Sequence, residues 1–121
     1  MLNVKDQVYA ALAPLAENVG DCYPKDWAVL PAIQYQELNN AVYEWTDEKE
    51  QKCSLLYQVD IWDNVSTSAM ACQVDAALSA LGLVRQVCRD VQDPSGMKHK
   101  EMQFTGIMDV KTEAMYHTNQ F

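Results

Sequence analysis

The sequence predicts an α+β domain, an antiparallel or mixed sheet of four to five strands with two helices packed on one face. Three observations carry this. Two stretches repeat apolar residues every three to four positions, a longer stretch between them alternates with period two, and a tight-turn sequence near the end is flanked by strand-like runs. At 121 residues, 49% apolar and 21% charged, the chain is sized for one hydrophobic core, a single domain over 1–110 followed by a C-terminal tail at 111–121.

The elements follow in order. Val4, Val8, Ala11, Leu12 and Leu15 share one helical stripe; Asn3 is placed to cap it, and Asp6 suits the positive end of the helix dipole. Pro14 bends or ends this helix. Glu17 to Pro31, with Gly20, Pro24 and Pro31, reads as an irregular connection that Trp27, Val29 and Leu30 pin to the core. Ala32 to Leu38 reads as a short strand, Asn39-Asn40 as a turn, and Ala41 to Thr46 as a second short strand. The charged run from Thr46 to Lys52 reads as a solvated loop tip.

Next comes the clearest strand. Cys53, Leu55, Tyr57, Val59 and Ile61 fall on its core side, and Ser54, Leu56, Gln58, Asp60 and Trp62 on its outer side. Asp63, Asn64, Ser66, Thr67 and Ser68 offer N-caps to a second helix, whose stripe is Met70, Val74, Ala77, Leu78 and Leu81 and whose end is marked by Gly82. Leu83 to Gln92 is a strand. Asp93-Pro94-Ser95-Gly96 has Asp, Pro and Gly where a type I turn favours them, and Lys100 to Val110 is the return strand. The tail has no period.

Composition narrows the function. A formal charge of −8 repels a nucleic-acid backbone, so direct nucleic-acid binding is not expected. The apolar run around Ala69 to Val84 is too interrupted to span a membrane, and the start MLNVKDQVY lacks the pattern of a secretion signal, which points to synthesis in the cytoplasm. Cys22, Cys53, Cys72 and Cys88 are too scattered for a zinc site and read as buried free thiols.

Asp60 and Asp63 bracket Trp62 at the strand end. Three residues apart on a strand, they point to opposite faces and cannot easily share a metal, so Asp60 reads as an exposed-face residue and Asp63 as a cap. His99 and His117 lack a partner at fixed spacing and read as solvated. No nucleophile elbow, phosphate loop or calcium loop is present, so neither an enzyme nor a bound cofactor is expected. The alternatives are a small-ligand-binding or regulatory domain, and a hydrolase using Asp60 or His99.

A docking role has more support. Tyr43, Glu44, Trp45, Asp47, Glu48 and Glu50 place aromatics beside an acidic tip, and Leu56 and Trp62 add apolar groups to the outer side of the long strand. Leu83 to Gln92 likewise has no cleanly polar side. Helices on one side only, and a mixed second side, lead to the expectation of contact with another subunit.

The order of segments resembles a family. An amphipathic first helix, P-A-I-x-Y at Pro31 to Tyr35, Y-Q-V-D-I-W at Tyr57 to Trp62, a second helix, then L-G-L-V-R at Leu81 to Arg85 are similar to the tail-completion and tail-terminator proteins of long-tailed bacteriophages. The likeness covers residues 1–110. It implies a small α+β, non-enzymatic virion protein without cofactor that forms a homohexameric ring on the tail tube. It further implies a tail-tube protein and a head-completion or connector protein as partners, and a place at the head–tail interface.

Overall fold

The computed structural model describes residues 1, 3–46, 49–112 and 114–115. The fold is α+β, a mixed sheet with two helices on one face. Helix α1 is Lys5–Leu12, followed by a 3₁₀ turn at Ala13–Leu15; α2 is Ser68–Ala80. The strands are β1 (Asn18–Gly20), β2 (Ala32–Thr46), β3 (Lys49–Asp63), β4 (Val84–Val91), β5 (Lys98–Asp109) and β6 (Ala114–Met115). Five of them lie in the order β1-β2-β3-β5-β4, and β6 pairs with β5. All pairings are antiparallel except β1 with β2.

Alternation along β3 builds the core. Cys53, Leu55, Tyr57, Val59 and Ile61 are each at most 1% exposed and meet Val4 at the N-cap of α1, Val8 and Leu12 of α1, Ala71, Val74 and Leu78 of α2, and Met102, Phe104 and Met108 of β5. Each large side chain so buried contributes about 1.5–3 kcal/mol. Both helices therefore cover the same face. Tyr57 and Phe104 sit opposite one another at the centre of the β3–β5 ladder, fully buried.

Local chemistry sets the element ends. Gly82, at φ 94°, terminates α2: its N–H donates to the Ser79 carbonyl at 2.9 Å, and the Leu83 N–H donates to the Leu78 carbonyl at 3.2 Å. This is the Schellman pattern, with Leu78 and Leu83 both buried as its apolar contact. At the β4–β5 turn, Gly96 donates to the Asp93 carbonyl at 2.9 Å with φ 81°, and the Asp93 carboxylate accepts from the Ser95 N–H at 3.0 Å.

Several sequence expectations change. The Asn39-Asn40 pair makes no turn: β2 runs unbroken from Ala32 to Thr46 because β3 offers a partner along its whole length, and the asparagines follow a bulge between Glu37 and Asn39. The expected loop from Thr46 to Lys52 is largely strand, with pairing reaching Thr46 opposite Lys49. Helix α1 stops at Leu12, and Asn3 sits before it, accepting from the Lys5 N–H at 3.2 Å. Thr67 occupies the N-cap of α2 with no side-chain cap bond, while Asp63 and Ser66 instead accept from Val65 and Ser68.

The connection from Glu17 to Pro31 is not wholly irregular, since Asn18–Gly20 pairs in parallel with Ala32–Gln34. In the tail, Ala114–Met115 pairs with Met108–Asp109. Of the four cysteines only Cys53 is buried, its thiol donating to the Met108 carbonyl at 3.8 Å, whereas Cys22, Cys72 and Cys88 are exposed thiols rather than the buried ones expected.

Candidate interaction surfaces

From Asn39 and Leu56 outward, β2 is the outer strand beside β3, which β5 still flanks as far as Lys52; this arm, two-stranded only beyond Glu44 and Lys52, carries most of the proposed docking residues. A bulge after Val42 and a second irregularity before Trp45 shift the side-chain alternation, so Val42, Tyr43 and Trp45 are 52%, 57% and 59% exposed. Leu38, at the other bulge, is 44% exposed. Two of the acidic groups are engaged within the chain: Glu44 takes Lys52 Nζ at 2.7 Å, and Glu50 takes the Met1 amino group at 2.8 Å. Asp47 and Glu48 lie outside the described residues, as does His117.

The face opposite the helices is more polar than the sequence suggested. Side by side across β2, β3, β5 and β4 stand Gln36, Gln58 and Gln103, then Gln34, Asp60, Glu101 and Arg89. They are tied together. Gln103 donates to Gln58 at 3.3 Å and to Glu101 at 3.2 Å, and Arg89 closes on Glu101 at 2.9 Å. Leu56, half-buried, is the apolar member on β3 of this otherwise polar stretch.

At one end of that face the structure overturns three expectations at once. Asp60 is 4% exposed, accepting from Gln58 Nε2 and paired with His99 Nε2, each at 2.9 Å. His99 is not solvated but half-buried, stacked on Trp62 with ring centroids 4.5 Å apart. Trp62 is 3% exposed because Tyr23 and Trp27 fold over it, edge-on at 5.7 and 5.4 Å. Trp62 therefore belongs to an interior contact and drops out as a partner-facing residue. Trp27 does pin the connection, but to the face away from the helices.

The reason is one of register. Trp62 lies between Ala32 and His99 in the ladder, at the edge of the sheet's far face, where the segment after β1 must cross to reach β2. Asn18 Nδ2 holds that crossing by donating to the carbonyls of Asp26 at 2.9 Å and Val29 at 3.2 Å. Among the described residues, the buried Trp62 indole nitrogen has no hydrogen-bond partner of ordinary geometry.

No protein-family model matches the chain, and no curated protein matches it.

The chemistry of the surfaces must therefore be read from their residues. The Asp60–His99 pair resembles half of a catalytic relay, yet among the described residues His99 makes its side-chain bond to Asp60, and its ring is taken up by stacking on Trp62. An open cleft of about 810 Å³ lies between the start of α2 and the β4–β5 turn, walled by Thr67, Ser68, Asp90, Asp93, Lys98 and His99. Backbone N–H of Ser95, then its hydroxyl, hold the Asp93 carboxyl below the usual range. Among the described residues no three His, Cys, Asp or Glu side chains are grouped to hold a metal ion. No helix there is long and apolar enough to cross a membrane.

Inside the core, burial first and then the Glu37 carboxylate push the Tyr57 hydroxyl well above its ordinary pKa. Its hydrogen bond to Glu37, 2.7 Å long, anchors the base of the arm just before the first bulge.

Proposed function

We propose that this chain is a structural virion subunit that assembles as a ring at the end of a phage tail tube, terminating the tail and joining it to the head connector. The observation that supports this best is the arm. Val42, Tyr43 and Trp45 stand more than half exposed on the outer strand of the arm, Trp45 on its two-stranded tip, and aromatic side chains supply much of the energy at protein interfaces. Displaying aromatics there, rather than tucking them into the core, fits an element that a neighbour covers.

In this reading the arm meets the tail-tube protein or a neighbouring subunit, the ring is hexameric, and the head-completion protein sits on the opposite side. The order of segments, which resembles tail terminators, supports the same reading. The protein works by binding and has no catalytic step.

The test is co-sedimentation with purified tail tubes. Wild-type chain is expected to pellet with tubes in a fixed ratio to tube ends, and the Tyr43→Ala/Trp45→Ala double variant to remain in the supernatant. Wild-type chain that stays in solution at every tube concentration would refute the proposal.

A further inference from the structure

We infer that the cleft between the start of α2 and the β4–β5 turn binds a phosphate group, free or carried on a small molecule, with Thr67, Lys98 and the open N–H groups at the start of α2 as its donors. The site lies at the Asp63 end of β3, away from the arm at its Lys49 end. It stands whether or not copies of the chain form a ring.

Helix α2 begins without the groups that ordinarily neutralise a helix start. The first N–H groups of a helix have no partner inside it, and the dipole leaves that end positive. Here the N-cap is Thr67, whose side chain makes no cap bond, and the first turn holds no acidic residue. Ser66 Oγ accepts from the Ser68 N–H at 3.3 Å, and the Thr67 carbonyl accepts from the Ala71 N–H at 2.9 Å. Between these, the N–H groups of Ala69 and Met70 meet no acceptor among the described residues. Two donors stand open.

Buried polar side chains beside that helix start point to a ligand. Thr67 is 5% exposed and lines the cleft, and its hydroxyl makes no hydrogen bond among the described residues. Burying a hydroxyl without a partner is costly, so its position is explained by an acceptor that enters the cleft from outside the chain. Trp62 repeats the pattern. It is 3% exposed, its indole N–H has no partner of ordinary geometry among the described residues, and that N–H lies beside Asp93 on the cleft wall.

Lys98 supplies the charge. It lines the cleft, is exposed, and makes no ion pair among the described residues, although Asp63 stands opposite it in the ladder. Asp63 accepts from the Val65 N–H instead. The two carboxylates on the wall are answered within the chain, Asp90 by Lys100 at 3.3 Å, and Asp93 by the Ser95 N–H and hydroxyl at 3.0 and 2.9 Å. They limit the ligand. N–H groups at a helix start, with a hydroxyl and an ammonium on the same cleft, form a donor set suited to one phosphate. A polymer of phosphates would run onto Asp90 and Asp93 and meet a chain of formal charge −8. At about 810 Å³ the cleft has room for more than the phosphate itself.

The experiment uses the full, unsubstituted chain, isotope-labelled for NMR and titrated separately with inorganic phosphate and with glycerol phosphate, ionic strength being held constant with chloride. The expected result is saturable movement of the amide signals of 67–70 and 97–99, with those of the arm at 42–46 unmoved. Thr67→Val and Lys98→Gln should each weaken binding roughly tenfold. Lys98→Gln sits at an exposed position and decides the matter even where Thr67→Val fails to fold. Whichever probe binds more tightly names the source, the ester or the free ion, and either order supports the inference. Movement that never saturates, that chloride alone reproduces, or that is unchanged in Lys98→Gln overturns it, and leaves the ring untouched.

Discussion

Replacing Trp62 with alanine is expected to cost about 3–5 kcal/mol of folding stability, the range for truncating a buried large aromatic. The structure gives the same scale. Trp62 is 3% exposed, and an aromatic side chain buries about 150–250 Å², worth roughly 4–6 kcal/mol at about 25 cal/mol per Å², an upper bound because unfolded chains already hide some surface. Its edge-on contacts with Tyr23 and Trp27 and its stacking on His99 add about 0.5–1.5 kcal/mol per aromatic pair. For a chain of this length the loss lowers Tm by roughly 10–20 °C. Urea denaturation followed by circular dichroism at low protein concentration measures it. A second variant, Tyr23→Ala, separates the contact itself: the double variant should lose less than the sum of the singles by about 1 kcal/mol. A Trp62→Ala loss below about 1 kcal/mol would refute the interior position and return Trp62 to the surface.

Three further outcomes follow. Tyr43→Ala/Trp45→Ala should leave stability within about 0.5 kcal/mol, since both side chains are mostly exposed. It should nevertheless weaken assembly by roughly 30-fold per anchor, each contributing about 2 kcal/mol, as read by light scattering. Because the folded pKa of Tyr57 lies above its unfolded value, its contribution is complete below about pH 10 and is lost as pH rises beyond it. Alkaline melts of Tyr57→Phe should then be flatter than wild type, and equal slopes would contradict this. With a thiol reagent, Cys22, Cys72 and Cys88 should react at once and Cys53 only on unfolding; four fast thiols would contradict the burial of Cys53.

What the sequence revealed divides along a physical line. Features set by neighbours a few residues away were legible: the α2 stripe with its Gly82 end, the Asp93–Gly96 turn, and the inward set from Cys53 to Ile61. Features set by distant partners were not. Asn39-Asn40 has the local preference of a turn, but a ladder of strand pairs with β3 carries the chain straight through it. Alternation placed Trp62 and Asp60 correctly on the outer side, and nothing local said that this side is roofed at one end by Tyr23 and Trp27. A signal was present in the two aromatics of a connection that had to cross the sheet, though it names no target. Tyr43 and Trp45 enter as docking aromatics because they flank a charged tip, and both are more than half exposed.

The account stands on the association of copies of this chain, and the mass of the particle in solution tests that most directly. Light scattering on the chain with tail tubes, followed by release of the bound fraction, should give six times the chain mass, falling to one for the Tyr43→Ala/Trp45→Ala variant. A single-chain mass for the wild type under all these conditions would contradict it.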